Sequence, residues 1–387
     1  MIVNEDEFKE RCLRRSNSEG SWLAYREPIR EFDAEFQPLH EVVEKCKTDP
    51  KLIYKVLDSY VGFLTTKKAY APKTVDRKFA AVKAYLRFLD IEISNETVKQ
   101  KIVFPRRYIK NTDRAPELEE LWTALSKADL RGQTLILGLS SSGMRLAEFL
   151  NVRIEDIDFR SHPTRIQIYA ETAKERQGRE VFISDEATEC LKKYLAGRKE
   201  GYVFHGYDLS DGTTKFTGAK HANYVANLNK PLNDDTAKSL LRRVFNKAGL
   251  EKMSKGGKRH EIHTHTLRKF FYSRMVGVIG EAYTHALMGH KRYLDEYLSL
   301  SPEQRAQIYL KGMDSLKVMT HVHEVSSMRT EVEAQKKTVE DEKQKLELEK
   351  KVLQRQLSEM RESIVQEVKN EILRLGRIEE ATKQKKA

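Results

Sequence analysis

Ser142-Gly143-Met144-Arg145-Leu146-Ala147-Glu148, inside a helical run over 135–150, is the stretch on which the fold turns. It is one of four patches that acquire meaning only together. The second is a polar turn with Lys174, Arg176, Gly178 and Arg179, set between two short alternating strands at 165–169 and 180–183. The third is His265-Thr266-Leu267-Arg268, with histidine and arginine three residues apart on one helix face. The fourth is Gly289-His290, followed by Tyr293 and Tyr297. Singly, each has an ordinary explanation. An arginine three residues before a glutamate is usually a surface ion pair, a lysine in a strand turn is usually solvated, and tyrosines four residues apart are usually core or rim aromatics.

Together the four patches supply the parts of a phosphodiester site. Two arginines can clamp the non-bridging oxygens of a phosphate and neutralise the charge that grows there in the transition state. Histidines can donate hydrogen bonds or handle protons near neutral pH. A lysine can protonate a leaving alkoxide. A tyrosine hydroxyl, with an unperturbed pKa of about 10, needs such a cationic nest to attack as phenolate. A phosphotyrosine bond would store the energy of the broken phosphodiester, so that rejoining needs no ATP and cutting no metal.

Around these patches the chain divides readily. Residues 1–40 are charged and weakly periodic and read as a loosely held arm. From 41 to 102 the pattern is helical. Its clearest part follows Ala71-Pro72-Lys73-Thr74, where Val75, Phe79, Val82, Leu86 and Leu89 make one apolar stripe, with Thr74 expected as N-cap. A basic linker spans 103–115. A domain at 116–320 is mostly helical with a small antiparallel sheet. Within it Ser184 is expected to cap one helix, and a further helix runs over about 235–248. From about 325 the chain turns to dense Lys, Glu and Gln. Val325, Val332, Val339, Leu346, Leu353 and Met360 keep a seven-residue spacing. Gln335, Glu342 and Glu349 fall on the second seam position. The expectation is a charged helical tail over 325–387, a possible coiled coil with weak self-association.

The order Arg, Lys, His-x-x-Arg, His, Tyr resembles the tyrosine recombinase (phage integrase) family. SGMRLAE resembles its first arginine box, HTLRKFF its His-x-Leu-Arg helix, and ALMGHKRYLDEY its Gly-His and nucleophile segment, especially in the archaeal virus and plasmid branch. APKTVDRKFAAVKAYLRFL resembles the family's helical core-binding domain. The resemblance covers roughly residues 41–315. It implies a mainly α fold and a site-specific recombinase that works through a 3′-phosphotyrosyl intermediate. Arg145 and Arg268 would bind the scissile phosphate, Lys174 would be general acid, His265 would assist proton transfer, His290 would hydrogen-bond the phosphate and Tyr297 would attack. The turn lacks the frequent Gly-Lys-Gly, which keeps Arg176 and Arg179 open beside Lys174. The short step from His290 keeps Tyr293 open beside Tyr297. The resemblance also implies two domains closing on duplex DNA and a homotetramer on two DNA sites. A non-catalytic architectural protein and a topoisomerase-like nicking-closing enzyme are the alternatives.

The formal net charge is +12, which favours a polyanionic partner through counterion release. The three cysteines, Cys12, Cys46 and Cys190, are far apart and form no CxxC pair. That points away from a disulfide framework or a cysteine zinc site. His260, His263 and His265 could in principle hold zinc, but no Cys or carboxylate clusters beside them, and no cofactor or metal is expected. No stretch approaches the ~20 apolar residues of a membrane span, and a cytoplasmic, nucleoid-associated protein is expected.

Overall fold

The computed structural model describes residues 4–16, 18–108, 112–173, 175–209, 224–254 and 259–384. They form two compact units, one of residues 1–113 with 253–261, the other of 114–252 with 262–387.

The first unit is helical throughout: α1 (Glu5–Ser16), α2 (Glu19–Glu31, continuing as a wider π turn over Phe32–Phe36), α3 (Leu39–Thr48), α4 (Leu52–Gly62), α5 (Pro72–Phe88) and α6 (Asn95–Lys101). The expected stripe on α5 is its buried face: Val75, Phe79, Val82 and Leu86 are all at most 4% exposed. Fully burying such side chains is worth about 1.5–3 kcal/mol each. The helix starts earlier than expected. Ala71 is its N-cap and Pro72 its first residue, while Thr74 lies in the first turn, because proline's fixed φ suits the first helical position and its missing N–H costs nothing there. The reading of 1–40 as a loose arm is corrected. Phe8, Trp22, Ile29 and Phe32 are buried in this unit's core, and Phe8 packs edge-on against Tyr85 at 5.1 Å. Few but large apolar anchors do here what a dense stripe does elsewhere, so the periodicity looked weak.

The second unit begins with α7 (Leu118–Lys127), α8 (Leu130–Ser142) and α9 (Leu146–Leu150). α8 is buried on nearly every side from Thr134 onward and packs against its neighbours on several faces, so its sequence is apolar or small throughout rather than amphipathic. Asp129 caps it, its carboxylate accepting from the Gly132 N–H at 2.8 Å. Then come β1 (Ile157–Asp158), β2 (Thr164–Ile168) and β3 (Arg179–Ile183), an antiparallel sheet in that order with Ile166 opposite Val181. α10 (Asp185–Leu195) starts at Ser184, whose hydroxyl accepts from the Ala187 N–H. A second hairpin, β4 (His205–Leu209) and β5 (Tyr224–Pro231), was not expected. Tyr207, Val225 and Leu228 on it are exposed, so it lacks the in-out alternation that marks a half-buried strand.

The remaining elements are α11 (Asp234–Lys247), α12 (Thr264–Ile279), α13 (Glu281–Leu287), α14 (Lys291–Leu298), α15 (Pro302–Met313) and α16 (Met319–Gln384). α12 turns Leu267, Phe270, Phe271 and Met275 into the core that α8 and the three-stranded sheet share. α16 is one helix of 66 residues, and Val339, Leu346, Leu353 and Met360 on it are all more than half exposed. No helix among the described residues is long and apolar enough to cross a membrane.

Candidate active site

The site grows from the end of α8. Gly143 terminates that helix with φ +64°, and a β-carbon there would lie 2.4 Å from the Phe271 ring. Both facts demand glycine. The chain then turns so that Arg145 becomes the N-cap of α9. Glu148 holds it from below: one carboxylate oxygen accepts from the Arg145 backbone N–H at 3.0 Å, the other from its guanidinium at 3.0 Å. Glu175, in the turn between β2 and β3, approaches the same guanidinium at 3.7 Å.

Glu148 is 2% exposed and also bonds Arg179, whose Nη2 lies 2.7 Å from it. Arg179 is itself 2% exposed. Burial pushes the Glu148 carboxyl up, but the charge and hydrogen bond of Arg179, joined by Arg145, more than offset this and hold it below the usual carboxylate range. The other donors of Arg179 reach the carbonyls of Leu287 and Met288, at 3.0 and 3.5 Å, where α13 ends. There Gly289 has φ +75°, and a β-carbon on it would meet the Arg179 guanidinium at 2.5 Å. One buried arginine thus docks the Gly289-His290 turn onto the strand β3 and the first arginine box.

Arg268 closes the arrangement from α12. It is 4% exposed. It donates to the Gly143 carbonyl and, through Nη2, to His290 Nε2 at 3.1 Å. Among the described residues it has no carboxylate partner. Burial, and next the charge of Arg145, push its pKa down to about 9. His290 is pushed down to about 4, by burial first and then by Arg268, His285 and Arg145. The cluster therefore holds more positive charge than its carboxylates balance, on groups largely withdrawn from water. An oxyanion is the ligand such a surplus stabilises most.

Arg145, Arg268 and His290 thus come together although 123 residues separate the two arginines. His265 lies in the first turn of α12 and is exposed. Lys174 lies outside the described residues. Of the alternatives kept open in that turn, Arg179 is committed to Glu148 and to backbone carbonyls. Tyr297 is not with the arginine pair. It is 1% exposed in the core, its hydroxyl has no hydrogen-bond partner among the described residues, and the Arg305 guanidinium sits 5.6 Å from its ring centre. Burial raises its pKa far above the usual tyrosine value. Tyr293 stacks on His285 at 5.1 Å, and His285 touches His290.

Sequence reasoning kept Arg179 only as an alternative to Lys174 and gave His285 no role. Arg179 showed its signal, since a charged residue on the inward register of an alternating strand needs a buried counter-charge. His285, four residues after Glu281 and five before His290, gave only an i,i+4 pairing. His260, His263 and His265 join no metal-holding cluster among the described residues.

Residues 111–293 match the model of the phage integrase family. A tyrosine recombinase XerC of Staphylococcus carnosus is 22% identical over 314 residues, covering 78% of this chain and 93% of the relative. A tyrosine recombinase XerA of Saccharolobus solfataricus is 24% identical over 252 residues, covering 64% and 71%. Among solved structures, a lambda integrase dimer bound to a COC′ core site is similar in fold, with a TM-score of 0.50 at 14% identity over 78% of this chain and 100% of that one.

Proposed function

We propose, from the premise that residues 111–293 are a phage integrase family domain, that this chain is a site-specific DNA recombinase of the tyrosine recombinase type. The observation that carries the reading is the meeting of Arg145, Arg268 and His290 around a surplus of positive charge. In this reading the two guanidinium groups hold the non-bridging oxygens of a DNA phosphate, replacing the carbonyl and imidazole that Arg268 now bonds. His290 contacts the same phosphate. His265 assists proton transfer at the mouth of the site, and Lys174 protonates the leaving 5′ oxygen. Tyr297 attacks phosphorus, giving a 3′-phosphotyrosyl link and a free 5′ hydroxyl. Attack by that hydroxyl reverses the step without ATP, and the arginines supply the charge neutralisation that a metal supplies in other phosphoryl-transfer sites.

For Tyr297 to react, its ring must leave the core, so α14 has to shift when DNA is engaged. A second assignment has its own support: Tyr293 already lies against the histidines and is half-buried. A nicked suicide duplex decides between them. Covalent adduct that is lost in Tyr297→Phe supports the first assignment. Adduct that survives Tyr297→Phe and is lost in Tyr293→Phe moves the nucleophile. Intact DNA binding with no adduct sinks the enzymatic reading.

The partner is duplex DNA, held mainly through phosphates and so with a steep salt dependence, and the active assembly is a tetramer on two DNA sites. α16, with its exposed heptad stripe, is suited to pair protomers. The ALMGHKRYLDEY segment supports placement in the archaeal virus and plasmid branch. A cytoplasmic location close to the nucleoid follows from the substrate.

A further inference from the structure

Two carboxylates reach the Arg145 guanidinium among the described residues, and they are unlike. Glu148 is 2% exposed and takes the Arg145 backbone N–H, its Nη1 and the Arg179 guanidinium. It is part of the scaffold. Glu175 comes from the turn between β2 and β3, and its side chain is 39% exposed. Its Oε1 lies 3.7 Å from Arg145 Nη2, the terminal nitrogen that Glu148 leaves open. At that separation the two make an ion pair without a hydrogen bond. Among the described residues Glu175 makes no hydrogen bond elsewhere.

The same carboxylate bears on His290. Arg268, His285 and Arg145 all disfavour a proton on that ring, and Glu175 favours one. One exposed carboxylate thus acts on Arg145 and on His290, two of the three groups assigned to the phosphate. A carboxylate and a phosphodiester each carry one negative charge and each offer acceptor oxygens to a guanidinium. Exchanging one for the other leaves the net charge of the site unchanged. What changes is the quality of the contact. A bound phosphate oxygen makes a charge-assisted hydrogen bond of about 2.7–2.9 Å, where Glu175 stands 3.7 Å away.

We propose that Glu175 is a specificity-determining residue: a carboxylate place-holder on Arg145 that a phosphate must displace, so that the site admits a phosphate of bound duplex DNA and turns away free phosphate. This rests on the reading of the arginine pair as a phosphate site, and not on strand cleavage. In the absence of DNA the surplus of cations stands largely out of water, which is costly. Glu175 offsets part of that cost, and so weakens the binding of any other anion by the same amount. A free phosphate ion brings only its own contacts to the exchange. A phosphate in duplex DNA arrives at a high effective concentration, because its neighbours are already held by other basic groups. After the exchange the displaced carboxylate stays tethered close by, and it repels a doubly charged phosphate ion more than a diester.

The test uses the full chain labelled with 15N-histidine and titrated with inorganic phosphate at constant pH and ionic strength. The ring signals of His290, those lost in His290→Ala, report occupancy at the site itself. Glu175→Gln keeps the size of the side chain and removes its charge. It should lower the half-saturating phosphate concentration about 3- to 5-fold, the upper part of the range for a partly exposed ion pair. Glu171→Gln removes the same charge from an exposed position in the same connection between β2 and β3, and should leave that concentration unchanged. On a nicked duplex, free phosphate should inhibit adduct formation at a correspondingly lower concentration in Glu175→Gln. The inference is overturned if Glu175→Gln leaves half-saturation unchanged or raises it, or if Glu171→Gln lowers it as much. It is also overturned if phosphate moves the His290 signals in neither the parent nor Glu175→Gln. If no DNA yields an adduct, the recombinase reading fails on its own, and the titration still decides the role of Glu175.

Discussion

Replacing Tyr297 by phenylalanine should abolish covalent chemistry and at the same time stabilise the fold. The ring is 1% exposed and its hydroxyl has no hydrogen-bond partner among the described residues. Two terms of opposite sign therefore meet at one residue. Burying an aromatic ring is worth roughly 1.5–3 kcal/mol over leaving it in water. Withdrawing a hydroxyl from water without a new partner costs about 1–3 kcal/mol. These nearly cancel, so the buried tyrosine is held only weakly, as the proposed attack by Tyr297 would require. Phenylalanine keeps the first term and removes the second. The expected gain is about 1–2 kcal/mol, which raises the melting temperature of a domain of this size by roughly 2–6 °C. Differential scanning calorimetry of the full chain reads the transition of the second unit, with Tyr293→Phe as control. That ring is half-buried and should move the transition by no more than about 0.5 kcal/mol. A Tyr297→Phe protein that melts lower than the parent by the equivalent of about 1 kcal/mol would refute the reasoning, because the hydroxyl would then be making a bond that holds it in place.

Three further outcomes follow from the same geometry. Glu148→Gln removes the counter-charge of a guanidinium that is 2% exposed, and should cost the second unit about 3–5 kcal/mol, read from urea midpoints; the loss should shrink when Arg179→Met is added, since no buried cation is then left without its partner. Gly289→Ala should destabilise by at least ~1–2 kcal/mol, because an L residue is strained at φ +75° and its β-carbon would meet the Arg179 guanidinium; an unchanged melting temperature would contradict the packing. Stability should also fall as the pH is lowered from about 6.5 to about 4. His290 binds its proton only near the lower value in the folded chain and near the upper one when unfolded, so the unfolded state takes up more protons across that window. His290→Asn should flatten that slope in urea titrations at a series of pH values. The Glu148 contribution has the same sign in a lower window, present above about pH 4.3 and lost as pH falls through its depressed folded value.

The sequence by itself determined a great deal here. The stripe on α5, the two strands flanking the basic turn, the cap at Ser184 and the helix after it are local signals, carried by periodicity and by single side chains bonding nearby backbone. The order of arginine, histidine and tyrosine patches marked which side chains could serve a phosphodiester site, because that chemistry restricts residue type. What lies between those patches in space was decided only by the tertiary structure. Burial of Glu5–Phe36 rests on a few large aromatic anchors meeting α5, which no local period announces. The link from Glu148 through Arg179 to the Gly289 turn spans three distant segments. The side to which Tyr297 points, and the partners that His290 finds in Arg268 and His285, depend on which groups face them across helices. Local sequence dictates what a residue can donate, accept or bury. Only packing decides what stands opposite it, and at this site that is where the balance of charge is set.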